Sequence, residues 1–97
     1  MKDPTYFNVC DTLAAHLDVH PAEIRPEQNL RTDWGLDDIE LNVIALRIEE
    51  REEIEIRVRD LEALHTVGQL IALVRSISRR KRLREDRFEA RIAGDRR

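Results

Sequence analysis

Residues 33–42 read Asp33-Trp34-Gly35-Leu36-Asp37-Asp38-Ile39-Glu40-Leu41-Asn42, DWGLDDIELN, and mark where a turn-forming stretch gives way to an apolar-rich run. Asp37 placed at the N-cap puts Glu40 at the third helical position, the spacing of a reciprocal capping box with Asp in place of Ser or Thr. Asp38 then lies in the first turn, where a negative charge meets the positive end of the helix dipole, worth roughly 0.3–1 kcal/mol if exposed. Beyond it, Leu41, Ile44 and Ile48 form one helical row and Ile39, Val43 and Leu46 an adjacent one. Two rows are broad enough to cover a core on one side and touch a partner on the other, so a helix is expected over 38–51.

Working outward toward the N-terminus, DVHPAEIRPEQNLRTDWG contains Pro21 and Pro26, which rule out a continuous helix. It reads as a long loop with short turns of its own, pinned to the core by Ile24, Leu30 and Trp34. Before it, Asp3 caps a helix expected over 4–17, with Pro4 at the first helical position. Tyr6, Val9, Cys10, Leu13 and Leu17 recur on one face of that helix.

Toward the C-terminus, Ile54, Ile56 and Val58 alternate as in a strand, but no second alternating run offers a partner. Residues 54–58 are therefore expected to be an extended connector plugging the core, followed by a short helix near 59–64. Thr66 and Gln69 make a second capping box, and Val67, Leu70, Ile71, Val74 and Ile77 supply the stripe of a last helix expected near 66–80. After Ile77 the stripe fails, with only Leu83, Phe88 and Ile92 as sizeable apolar residues. The organisation expected is a helical domain over 1–78 and a basic extension over 79–97, helical or disordered.

The 97 residues suffice for one modest core. With 41% apolar and only 4% aromatic residues, aliphatic side chains must fill it. The sequence has no apolar run long enough to span a membrane and no leader-like start, so a cytoplasmic location is expected. Cys10 is the single cysteine, which excludes an internal disulfide and a thiolate metal cluster and leaves it as a small buried hydrophobe. The net charge of −3 hides a division: Met1 to Ile77 holds 8 basic and 16 acidic residues, net −8, and Ser78 to Arg97 holds 9 basic and 4 acidic, net +5.

Three main helices, a long first loop, a short third helix and a second helix opening on Asp-Trp-Gly-Leu-Asp resemble the acyl carrier protein family. Bacterial carriers typically show D-L-G-x-D-S-L, a V-E-L-type helix ending in an acidic segment and I-E-I-P, then a short helix and T-V at the last start. Here Asp33-Trp34-Gly35-Leu36-Asp37-Asp38-Ile39 occupies the motif, Glu49 to Ile56 the acidic segment, and Thr66-Val67 the last start. The resemblance covers about residues 5–77 and implies an all-α bundle of three main helices plus one short one.

In that family the Ser of the motif carries 4′-phosphopantetheine through a phosphodiester, and the aligned position here is Asp38. A carboxylate forms no such stable ester, and an acyl phosphate in its place would be a labile mixed anhydride. The resemblance therefore implies fold and partner surface without the carrier chemistry: no cofactor carried, no enzyme activity, and binding to protein partners of fatty-acid or polyketide-type acyl metabolism. Asp38 is then either a favourable first-turn residue left after loss of the carrier role or a charge standing in for the phosphate. The partner surface implied is Trp34, Asp37, Asp38, Glu40, Leu41, Glu49 and Glu50, because family members dock acidic groups of this helix on basic patches. Asn42, Val43, Arg47 and Arg51 dilute that charge, which points away from the general carrier clientele.

Two further readings stay open: a genuine carrier with an engineered Ser to Asp change, and a regulatory adaptor that binds acidic partners or nucleic acid through the basic tail. Glu85, Asp86 and Glu89 within the tail oppose strong phosphate binding. His16 and His20 are four apart, but Pro21 puts His20 at the helix end, so no metal site is expected. Asp37, Asp38 and Glu40 lack the ligand count of a dedicated cation site. A monomer is expected.

Overall fold

The computed structural model describes residues 3–94, with side chains described for 3–87. Four helices follow in order: α1 (Pro4–Leu17), α2 (Asp38–Glu52), α3 (Val58–Glu62) and α4 (Val67–Gly94). Among the described residues there is no strand beyond an isolated bridge between Asn29 and Thr66. The all-α, carrier-like architecture expected from the sequence is the one found.

α1 begins as its sequence dictates: Asp3 Oδ1 accepts from the Tyr6 amide at 2.9 Å, and Pro4 needs no amide partner. The same carboxylate takes Arg75 of α4 through Nε at 2.7 Å and Nη2 at 3.2 Å, so one residue caps α1 and ties it to the last helix. Arg75 first, and the Tyr6 amide next, hold the Asp3 carboxyl below its ordinary range. Burial pushes the Tyr6 phenol up.

The long first loop is short of regular structure but not of hydrogen bonds. A single 3-10 turn, Pro21–Glu23, is boxed by the His20 and Glu23 side chains. The loop is then hung on the start of α4 by its backbone: Gly68 donates to Pro26 O at 2.8 Å, Val67 to Gln28 O at 3.0 Å, and Leu30 to His65 O at 2.8 Å. Buried loop polar groups need such partners, and the bonds fix where the loop enters α2. Ile24, Leu30 and Leu36 bury their side chains, while Trp34 is half-buried. Gly35 sits at φ +65, a left-handed value that disfavours any side chain with a Cβ.

The core is aliphatic, with Leu13, Leu30, Ile44, Ile48, Leu70 and Val74 among its most enclosed members. Cys10 lies in it, 3% exposed. α2 ends on Glu53 in the left-handed region, its amide donating to Glu49 O. The Thr66–Gln69 box is reciprocal: the Gln69 amide donates to Thr66 Oγ1 and the Thr66 amide to Gln69 Oε1, both at 3.1 Å.

The bounds of two helices differ from the sequence expectation, α3 ending at Glu62 and not near 64. α3 starts at Val58, which breaks the alternation; Ile54 is buried and Ile56 half-buried, but Val58 is 59% exposed and plugs nothing. α4 continues past the end expected near 80 to Gly94, into the 79–97 segment for which a helical extension or disorder was expected. The Arg-, Lys-, Leu- and Glu-rich run after Ile77 has good helix propensity and no proline, and Lys81 pairs with Glu85 one turn on at 3.9 Å. The Phe88 and Ile92 side chains and residues 95–97 of the expected tail lie outside the described residues. With a helix of this length the molecule measures 57 × 28 × 19 Å.

Candidate functional site at the start of the second helix

The loop delivers the chain to α2 through Gly35 and Leu36, and Leu36 is buried with its amide on Leu30 O at 3.1 Å. Asp37 then caps α2, Oδ1 accepting from the Glu40 amide at 2.8 Å. The capping box expected here is one-sided. Glu40 Oε2 lies 3.1 Å from His16 Nε2 of α1, so the carboxylate crosses to the neighbouring helix. A half-buried imidazole offers a better partner than the exposed Asp37 amide.

Asp38 is the first residue of α2. Its side chain is 75% exposed and Oδ1 meets Arg31 Nη2 at 2.7 Å. Its backbone carbonyl accepts from Asn42 Nδ2 at 2.8 Å. Arg31 was not singled out from the sequence. It reaches Asp38 only because Asn29 folds the loop back, its Oδ1 accepting from the Arg31 and Thr32 amides at 2.9 Å. Arg31, Asp38, Leu41, Asn42, Val58 and Leu61 line a cleft of about 60 Å³ between α2 and α3. That is far below the roughly 300 Å³ where small-molecule pockets begin.

The remaining members of the expected surface are dispersed in role. Leu41 is 3% exposed and belongs to the core, so it is not an outward contact; its row, with Ile44 and Ile48, is the one turned inward. Trp34 Nε1 donates to Gln28 Oε1 at 2.9 Å. Glu49 Oε2 accepts from the Ile56 amide at 2.8 Å, fastening the connector after α2. Glu50 is exposed. Four of the five acids, all but Glu50, thus already hold a cation or a donor of their own chain. What α2 presents outward is the second row, with Ile39 75%, Val43 36% and Leu46 59% exposed. The two-row pattern of the sequence contained that face, but which row turned inward depended on the packing.

His16 rests on Glu40, and His20 Nδ1 accepts from the Ala22 amide at 3.1 Å, so each ring serves the fold. Among the described residues, no group of three or more His, Cys, Asp or Glu is arranged to hold a metal ion. No described helix is long and apolar enough to cross a membrane.

A small helical bundle whose long loop leads into a capped second helix is the class of protein that this geometry defines. The chain belongs to the phosphopantetheine attachment site family, whose model matches residues 8–74. Among curated proteins it is 30% identical over 59 residues to the meromycolate extension acyl carrier protein of Mycobacterium tuberculosis H37Rv, covering 61% of this chain and 51% of that protein. It is 29% identical over 73 residues to an acyl carrier protein of Exiguobacterium sp., covering 75% of this chain and 92% of that protein. The match spans about half the length of the mycobacterial relative.

Family membership raises the prosthetic arm. The residue that the resemblance puts at the arm's place presents a carboxylate, salt-bridged to Arg31, where a phosphodiester needs a hydroxyl. Thr32, the nearest hydroxyl in the preceding chain, is in the loop outside α2. Residues 33–42 offer no hydroxyl side chain at the place where the resemblance puts the arm.

Proposed function

We propose that this chain is a carrier-like binding domain that works in or beside acyl metabolism without phosphopantetheine, and that it binds instead of catalysing. The observation that carries the proposal is the junction at α2: a carrier-family framework in which Asp38 is an exposed, Arg31-paired carboxylate next to an uncovered apolar row. Asp38 neutralised in part by Arg31 is a weak stand-in for a phosphate, so the reading favours a partner selected mainly by Ile39, Val43 and Leu46. Asp37 and Glu50 add rim charge that would meet basic groups on that partner. The names of the relatives, two acyl carrier proteins, support the link to acyl metabolism. Residues 1–78 are the binding unit in this reading and 79–97 an appended basic segment.

The experiment is site-specific photocrosslinking in cells of the source organism, with the crosslinker at Ile39 in one variant and at Ala72, exposed on α4, in another. Enzymes of acyl-chain metabolism captured from position 39 and absent from position 72 are the expected result. The same proteins from both positions, or none from position 39, would remove the α2 surface from the proposal.

A further inference from the structure

α4 continues well past the body of the bundle and forms one wall of a groove of about 1150 Å³ whose other wall is the segment that follows α2. Glu49, Glu53, Glu55 and Asp60 line one side, with Arg57 the one cation among them, and Arg80, Arg84 and Arg87 the other, so the first wall is net acidic and the second basic. The three arginines stand at i, i+4 and i+7, a single helical face. Lys81 fixes the separation of the walls: Nζ donates to Glu53 O at 2.7 Å and lies 3.6 Å from Glu53 Oε2. Arg84 and Arg87 make no ion pair among the described residues, although an acidic wall lies across the groove.

We propose that this groove takes the α4 extension of a second copy of the chain, giving a two-fold dimer sensitive to salt. Opposite signs on the two walls make the groove complementary to itself, which is what an isologous contact requires: each copy's arginine face meets the other's carboxylates, and the reverse. A polymer of one sign, such as nucleic acid, would satisfy the arginines and be repelled by the facing acids. The charge division of the whole chain, net −8 before Ser78 and +5 after it, drives the same pairing. Leu83, 51% exposed on the extension, supplies an apolar contact. The extension beyond Ser78 spans 16 residues of α4, about 24 Å of helix, so the area is near or below the roughly 1,000 Å² of a stable interface. Such a dimer is weak and depends on its charges, unlike the monomer expected from sequence.

Sedimentation velocity of the full chain over a concentration series, at about 0.02 M and about 0.5 M salt, tests the proposal, because screening lengths fall several-fold between them. A dimer at low salt whose dissociation constant rises at least tenfold at high salt is expected. Arg84→Glu/Arg87→Glu and Glu53→Lys/Glu55→Lys should each be monomeric alone, and mixing the two should restore the dimer because every facing pair is again opposite in sign. Far-UV circular dichroism of each variant confirms that it is folded, and the salt series on the unaltered chain needs no variant. A native chain that stays monomeric at every concentration, or a dimer that neither variant weakens, would overturn the proposal.

Discussion

At the scale of single residues, the two adjacent acids Asp37 and Asp38 separate into different physical roles. Asp37 accepts the Glu40 amide, so Asp37→Ala should cost about 1 kcal/mol in urea denaturation. Asp38 is an exposed half of a surface ion pair, and Asp38→Ala should cost less, about 0–1 kcal/mol. If Asp38→Ala proved the more destabilising of the two, the ion pair would be doing structural work that its exposure does not suggest. Asp38→Ser tests the surroundings instead: incubated with a broad-specificity phosphopantetheinyl transferase and coenzyme A, the variant should gain the arm, read by intact mass. No gain would mean that the neighbouring surface has also left the carrier pattern. Asp37's role was legible because capping is local chemistry of four residues. Glu40's partner was not, since His16 lies 24 residues away and only the packing of α1 on α2 brings them together.

At the scale of elements, the joints between α4 and the rest carry the fold. Asp3 links α1 to α4 through Arg75, and its folded carboxyl binds a proton less readily than in the unfolded chain. Its contribution is therefore fully present above the unfolded-state value, near pH 4, and is lost as pH falls through the lower folded value. Asp3→Asn, which keeps a capping side chain, should flatten the acid limb of a plot of Tm against pH below about pH 4 while leaving α1 helical. An unchanged limb would assign the acid sensitivity to other carboxylates. Gly68 is the second joint: a Cβ there would stand 3.1 Å from Pro26 O and 3.3 Å from Pro26 Cβ. Gly68→Ala gains up to about 1 kcal/mol of helix propensity and loses about 1–3 kcal/mol to crowding, so a net loss near 1 kcal/mol is expected from chemical denaturation. Helix existence was legible from periodicity and caps, as was the anchoring of the loop by Ile24 and Leu30. The loop's attachment to α4 was not, because bonds such as Gly68 to Pro26 O are made by backbone atoms that every residue possesses. The alternation of Ile54, Ile56 and Val58 misled by one residue, since α3 starts at Val58 and turns it outward.

At the scale of the whole molecule, an aliphatic core closed by Leu13, Ile48 and Leu70 supports a family framework on which an acidic body and a basic helical extension are joined end to end. Truncating one core member, as in Leu13→Ala, should cost about 2–5 kcal/mol in thermal or chemical unfolding, whereas Ile39→Ala on the uncovered row should cost little and weaken partner capture. A large stability loss for Ile39→Ala would mean that this row is covered within the chain. The all-α bundle was legible in the sequence because caps, spacings and the motif at residues 33–39 agreed with one another. The outward face was legible only as one of two rows, because the choice between them belongs to the assembled core. The central claim is a carrier framework without the arm, and it is tested most directly by the intact mass of the unaltered chain after incubation with a broad-specificity phosphopantetheinyl transferase and coenzyme A. An unchanged mass is the result expected from the carboxylate at Asp38, and a gain equal to one phosphopantetheinyl group would contradict it.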